Sequence, residues 1–409
     1  MLMNKTRLFK KSIIAATIAL ASQQAVAAGF QLNAQSATGL GRAFAGDAVI
    51  ADNASSMARN PATMAMFDET AMSLGFVTIT SMIEVKDAKY NGVLDANQDD
   101  AGDTSVAPNL HLIVPVNDKF AWGVNAYSNF GTKTQFDDDY IAGEFGGTTD
   151  VKSFNLGVAG SYRINEQWSV GAGLDAVYGS GKFNRTTNPA ITGTAITAVD
   201  IDANGWALGF NLGAVYELDE RNRFGLAYHY SPEIKAKGDV TYASYPQGDG
   251  SDTVLMPLPD LLEFSGYHEI KDTKFAVHYS IQWIGWSSFD KLEAEDAGTI
   301  NTYEWQNGMH YSIGGTYFLN QDWTLRAGYM HDTSAQDEVT SISVPDSDRN
   351  WFSAGFTYHL TEKSNVDFGF TYLLGEDVDV EESTALGTSI TATTHADAIL
   401  VGLQYSRTF

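Results

Sequence analysis

Apolar side chains recur at every second position along most of this chain, and the residues between them are small rather than charged. Trp206, Leu208, Phe210, Leu212, Ala214, Tyr216 and Leu218 alternate with Ala207, Gly209, Asn211, Gly213, Val215 and Glu217. A period of two belongs to strands, whose successive side chains leave opposite faces. The pattern returns in Phe275/Val277/Tyr279/Ile281/Trp283, Phe352/Ala354/Phe356/Tyr358, Val366/Phe368/Phe370/Tyr372/Leu374 and Ile399/Val401/Leu403/Tyr405. In a soluble sandwich the large apolar face would be the core and the other face would carry Lys, Glu and Arg. Here the second face is mostly Gly, Ala, Ser, Thr, Asn or His, which suits an enclosed lumen with the large face turned to lipid.

The connections alternate as well. Short polar turns (Asn117-Asp118, Ile164 to Glu166, Asp219 to Asn222, Ile270 to Thr273, Asn320 to Asp322, Thr361 to Lys363) alternate with long acidic or Gly/Thr-rich segments, about 86–106, 131–150, 187–204, 241–259, 293–303, 333–349 and 379–394. An aromatic follows nearly every short turn (Phe120, Trp168, Phe224, Phe275, Trp323), as an interfacial girdle would require. A blade-repeat propeller has a repeat of similar size, but its strands would not share one continuous lipid-type face. Fourteen strands are expected, the first at about 70–85 and the last at 395–409, ending on Phe409. An even number returns both barrel ends to one side. In hydrocarbon an open sheet edge leaves backbone groups unpaired at several kcal/mol each, so closure is required. The expected fold class is therefore an all-β membrane protein, a 14-stranded antiparallel transmembrane β-barrel.

Composition removes other classes. With 25 Lys+Arg against 50 Asp+Glu, nucleic acid is excluded as a partner, because phosphate neutralisation needs clustered cations. Zero cysteine removes disulfides, thiolate metal sites and cysteine nucleophiles. No window spans a bilayer as a helix: the longest near-apolar stretch, Ser12 to Ser22, is 11 residues, where about 20 are needed. No Gly-x-Ser-x-Gly occurs, and the eight His are scattered without metal-ligand spacing, so neither an enzyme nor a metal or cofactor is expected. Asp95 to Asp99 begins like a calcium loop, but Asp100 stands where Gly is needed and Val106 where the bidentate Glu belongs.

Met1–Ala27 reads as a cleavable signal peptide, with Lys5, Arg7, Lys10 and Lys11 ahead of apolar Ile13–Ala21 and a small-x-small site at Ala25-Val26-Ala27. Its removal takes four of the 25 basic residues and no acidic ones, leaving 21 against 50 and a net −29. Residues 28–69 break the period of two, are rich in Ala, Gly, Ser and Asn, and read as a helix–turn plug for the lumen. A disordered leader is the alternative. The barrel proper is assigned to 70–409.

Ala28-Gly29-Phe30-Gln31-Leu32-Asn33, Gly39-Leu40-Gly41-Arg42-Ala43, Ala51-Asp52-Asn53-Ala54 and Arg59-Asn60-Pro61-Ala62 resemble the N-terminal hatch of the FadL family of outer-membrane long-chain fatty acid transporters. The resemblance continues through Ser128-Asn129-Phe130-Gly131, Ser287-Ser288-Phe289 and Ile342 to Asp346, and covers the mature chain. It implies a Gram-negative outer-membrane location and a lumenal hatch. It also implies a loop groove for capture, an internal apolar pocket and a lateral exit at a kinked third strand. Arg185 matches the position near the ligand carboxylate, with a lipopolysaccharide-facing arginine as the alternative. The lysine common after the aromatic that opens the tenth strand is absent, Trp305 being followed by Gln306; Lys182 is the expected substitute. Phe30 and Leu32 are expected at the hatch and pocket. Asn60, Pro61 and Ala62 are expected to meet Ser128, Asn129, Phe130 and Gly131 at the exit. The apolar residues of loops 187–204 and 241–259 (Ile191, Ile196, Tyr242, Tyr245, Leu255, Met256, Leu258) are the expected capture groove, unless they merely pack on each other. The expected partners are a long-chain fatty acid or another hydrophobic ligand, such as an aromatic or alkane hydrocarbon, together with lipopolysaccharide and outer-membrane lipid. A monomer is expected.

Overall fold

The computed structural model describes residues 29–242, 250–384 and 387–409. The signal segment and Tyr245 lie outside them. The period-two segments form fourteen antiparallel strands: β1 (Ala71–Tyr90), β2 (Thr104–Asn117), β3 (Phe120–Tyr127 and Gly131–Gln135), β4 (Thr148–Arg163), β5 (Trp168–Thr186), β6 (Thr197–Asp219) and β7 (Asn222–Tyr230 and Glu233–Tyr242). The second half comprises β8 (Ser251–Pro257 and Leu261–Glu269), β9 (Phe275–Ile284 and Lys291–Ala294), β10 (Gly298–Thr302 and Gly308–Phe318), β11 (Trp323–Asp332), β12 (Arg349–Thr361), β13 (Ser364–Gly375 and Val378–Ser383) and β14 (Ser389–Thr408). β1 pairs with β14 from Ala71↔Thr408 to Tyr90↔Ile390, closing the barrel. The Phe409 N–H donates to Thr70 O at 3.0 Å, so both ends of the barrel meet at the short-turn side.

The alternation sorts the faces. Leu174 is 64% exposed, Leu208 76% and Ile313 61%, all pointing outward, whereas inward neighbours such as Ser169, Ser265 and Thr371 are buried. Outward aromatics form two belts. Ring pairs Trp168–Tyr216, Phe275–Tyr317 and Trp323–Tyr358 stand near the short turns, and Tyr178–Trp206 stands higher. Trp168 and Tyr178 are ten positions apart on β5, matching the about 9–11 residues a tilted strand needs to cross a bilayer. Residues beyond the upper belt stand above the bilayer. Much of what composition marks as loop is strand here: β6 starts at Thr197 and β8 at Ser251, so the wall itself rises past the lipid.

Residues 29–69 lie inside the barrel. They make one turn of α-helix (Ala37–Leu40) and two 3₁₀ helices (Ala54–Ala58, Pro61–Met66), capped by the side chains of Ser36, Asn53 and Asn60. Among lumen-facing wall residues, Ser280 and Ser265 accept from the N–H groups of Gly46 and Ala48, and Gln404 from that of Ala37.

Candidate functional site

Two polar clusters in the short-turn half of the lumen hold the inner segment. The Arg42 guanidinium bridges Asp47 (2.8 Å) and Asp52 (3.0 Å), and Arg326 of β11 reaches Asp52 at 3.2 Å. Arg59 lies 3.3 Å from Glu263 of β8. The Asn60 side-chain N–H group donates to Ala48 O and to Ala214 O of β6, and its oxygen accepts from Ala62 N–H, so one amide ties the Asn60-Pro61 turn to the wall. A Cβ on Gly213 would overlap that amide oxygen, which is why glycine stands there.

Higher up, the wall is interrupted. β3 follows β4 to Tyr127↔Asn155 and resumes at Gly131↔Lys152, so Ser128, Asn129 and Phe130 stand opposite only Ser153 and Phe154. This bulge turns the strand inward. β2 pairs with β3 only over Asn109–Asn117, while Thr104–Pro108 pairs only with β1. Between Pro108 and the upper piece of β3 no ladder forms; the Gln135 N–H bond to Ala101 O (2.9 Å) and the Lys133–Asp103 ion pair join the two rims at the top. The backbone groups freed at the bulge must find partners, and the N-terminal segment supplies them. Leu32 N–H donates to Asn129 O, and Gly131 N–H to Phe30 O, both at 2.7 Å, making Gln31↔Phe130 an antiparallel bridge.

That bridge points Phe30 into an aromatic cluster. Its ring centroid lies 4.6 Å from Trp286, 5.3 Å from Phe289 and 5.7 Å from Trp305. Gly29 precedes it at φ +54, where an added Cβ would run into Trp286. Phe30 caps an apolar cavity of about 610 Å³, solvent at its mouth included, lined among others by Val254, Met256, Leu258, Phe289 and Phe183.

Phe183 also lines a second, larger void of about 920 Å³ nearer the long loops, with Arg185, Tyr242, Glu144 and Glu382 in its wall. Arg185 is buried and stacks 4.1 Å over the Phe183 ring. It donates to Thr148 O, Asn184 O and Thr149 Oγ1. Burial pushes its pKa down to about 10. Glu382 accepts from Ile342 N–H at 2.7 Å, and burial pushes its carboxyl up to about 7. Both groups stand well above the upper aromatic belt.

The structure redistributes several expected site residues. Phe30, Met256 and Leu258 line the inner cavity, and Arg185 and Tyr242 the vestibule. The described part of the 241–259 segment is thus in part wall strand, and its Val254, Met256 and Leu258 turn inward to the cavity. Leu255 alternates to the opposite face from Val254 and Met256 and lines neither void. Ile191 sits on an exposed helical turn (Pro189–Thr192) and Ile196 on the exposed approach to β6; both are solvent-facing because no wall stands behind them. Lys182 does not substitute for the missing lysine: one position before Phe183, it leaves the outer face and pairs with Asp202 at 2.8 Å. Gln306 likewise faces outward next to inward Trp305. Leu32 packs with Leu40 and Phe44, away from the cavity. The Asn60-Pro61-Ala62 turn does not meet the kink. It sits on Gly171 and Gly213, whereas the kink lies level with Gly179, eight residues or roughly 26 Å further along β5. Gln31 and Leu32 occupy the kink instead. Glu144, Glu382 and Trp286 went unnoticed in the sequence; each lies in an irregular or long-loop region without a period.

Comparison with known proteins agrees with this architecture. The family described as "Outer membrane protein transport protein (OMPP1/FadL/TodX)" matches residues 18–409. The long-chain fatty acid transport protein of Salmonella typhi is 37% identical, over 93% of this chain and 95% of that protein. A Pseudomonas aeruginosa FadL homologue of known structure superposes with a TM-score of 0.86 at 22% identity, covering 93% of this chain and all of the other. The Ralstonia pickettii toluene transporter TbuX shares the fold at a TM-score of 0.67 and 16% identity, with 91% and 98% covered.

Proposed function

The chain belongs to the FadL/TodX family of outer-membrane transport proteins, and from that membership we propose that it takes up long-chain fatty acids by lateral release into the membrane. The family consists of Gram-negative outer-membrane channels, not enzymes, and carries hydrophobic compounds. In this reading residues 28–69 act as a hatch that blocks straight passage. The ligand enters from the long-loop end, lodges its tail against Phe30, and leaves sideways where β2 and β3 part. The observation that carries the reading is the Gln31↔Phe130 bridge: the segment whose Phe30 caps the apolar cavity is the same one that fills the break in the wall. Ligand pushing on Phe30 would therefore unseat the two backbone hydrogen bonds that stop the gap. Aliphatic relatives of the fatty acid would fit the same cavity, and Arg185 favours a ligand with a polar end.

The chain has no cysteine, so the bridge can be locked cleanly. Gln31 and Phe130 form a non-hydrogen-bonded antiparallel pair, with Cα atoms about 4.5 Å apart, within disulfide reach. Gln31→Cys/Phe130→Cys should stop uptake of labelled palmitate when oxidised and restore it on reduction. Normal transport by the oxidised protein would sink lateral release at this point.

A further inference from the structure

The vestibule above Phe183 has more acid than it needs to receive a carboxylate. Among the described residues Arg185 is the one cationic side chain in its wall, and three of its five N–H groups are already taken by Thr148, Asn184 and Thr149. Two carboxyl groups share the wall with it. Glu382 takes Ile342 N–H at one oxygen and the Ser341 hydroxyl at the other, at 3.3 Å. Glu144, only 8% exposed, accepts from the Tyr90 hydroxyl at 2.6 Å through Oε1, while its Oε2 is buried with no hydrogen-bond partner among the described residues. Neither acid lies within ion-pair distance of Arg185 among those residues. An ionised ligand would bring a further set of acceptor oxygens to a wall that already carries two carboxyl groups and one committed guanidinium. It would also leave Glu144 Oε2 without a donor, at about 1–3 kcal/mol for a buried acceptor.

We propose that this vestibule takes the ligand's head group as a hydrogen-bond donor, an undissociated carboxylic acid or an alcohol, with Glu144 Oε2 accepting its hydrogen and Arg185 donating to its oxygen. This rests on the uptake reading and narrows its substrate class. Glu144 is then a specificity residue that reads the proton on the ligand. The other ionisable groups in the cavity or packed against it are Tyr90, Tyr140, Tyr242, Tyr303, Arg185 and Glu382. Of these Glu382 titrates near neutrality, so the test is run in both the native chain and Glu382→Gln.

Binding of palmitic acid, hexadecanol and methyl palmitate to the purified full-length protein in detergent, from pH 5.5 to 8.5, separates the possibilities. The ester accepts hydrogen bonds but has none to give. We expect hexadecanol to bind about tenfold tighter than methyl palmitate, one hydrogen bond's worth. Palmitic acid should weaken by up to about tenfold per pH unit as its undissociated fraction falls. Glu144→Gln, whose amide donates, should erase the alcohol's advantage and flatten the palmitate profile. Equal binding of alcohol and ester, with palmitate affinity constant across the range, would overturn the proposal; this comparison needs no variant. Met256→Trp, which fills the tail cavity, keeps the two readings apart. Loss of all three probes in that variant with no donor preference in the native protein refutes the head-group inference alone. No binding of any probe, or binding indifferent to Met256→Trp, refutes the uptake reading beneath it.

Discussion

Leu40 and Phe30 lie ten residues apart on one inner segment, yet the barrel holds them by different means. Around Leu40, buried guanidinium–carboxylate pairs, the Asn60 amide and wall hydroxyls fix the backbone at many points. Around Phe30, two backbone hydrogen bonds and a ring of aromatic edges are the main restraints. Charge pairs and capped turns have narrow geometry and lose several kcal/mol when one partner goes, whereas aromatic packing tolerates repositioning and leaves a space that an alkyl chain can refill. One segment thereby combines a tightly pinned stretch with a more loosely held one. The difference also explains why a lumen that looks uncharged strand by strand contains a dense ionic cluster: the acids and bases come singly, from distant strands and from the inner segment.

The contrast is open to attack in order of expected size. Arg42→Ala leaves Asp47 buried without its main partner and Asp52 with Arg326 alone, which should cost about 3–5 kcal/mol. The unfolding temperature followed by gel mobility should fall, and small hydrophilic antibiotics should leak through. If neither changes, the lower half is not the stopper. Leu40→Ala should cost about 2–5 kcal/mol as a sealed cavity opens. Phe30→Ala removes a larger side chain but enlarges a void already present, so its effect on unfolding should be the smaller of the two while its effect on palmitate uptake is the greater; the reverse ranking would undo the distinction. Asn60→Ala should lose about 1–3 kcal/mol through the Ala48 carbonyl and the Ala62 N–H group that lose their partner, without altering ligand affinity. The smallest effect concerns pH. The folded-state pKa of Glu382 is raised from 4.5 to about 7 by burial, so its protonated form is favoured by folding. That contribution is complete below about pH 4.5 and is lost as pH climbs to about 7. Melting measured from pH 4 to 8 should show this decline, and Glu382→Gln should flatten it.

Much of the wall was legible because lipid on one side and a filled lumen on the other impose a strict alternation, and Trp206 through Leu218 display it without a break. The strand ends were less so. Above the bilayer both faces meet water or protein, the alternation loses its cause, and residues such as Val254 and Met256 read as loop although they continue β8. The kink at Ser128–Phe130 was visible as an interruption, but its occupant was not. Gln31 reaches it through a turn at Gly29 that no periodic pattern encodes, and the Asn60 turn is seated by a glycine on a strand far away in sequence. Lys182 shows the converse limit: close to Arg185 along the strand, it stands an odd three positions away and so leaves the opposite face.

The ladder between β1 and β14 has a consequence for how the molecule is made. The inner segment emerges first from the export machinery, and the strand that seals the cylinder emerges last. Arg42, with its partners on both the segment and β11, lies inside a ring that closes only when Phe409 reaches Thr70. The cluster that holds the inner segment is therefore completed only when residues far apart in the chain, Asp47, Asp52 and Arg326, have come together around Arg42.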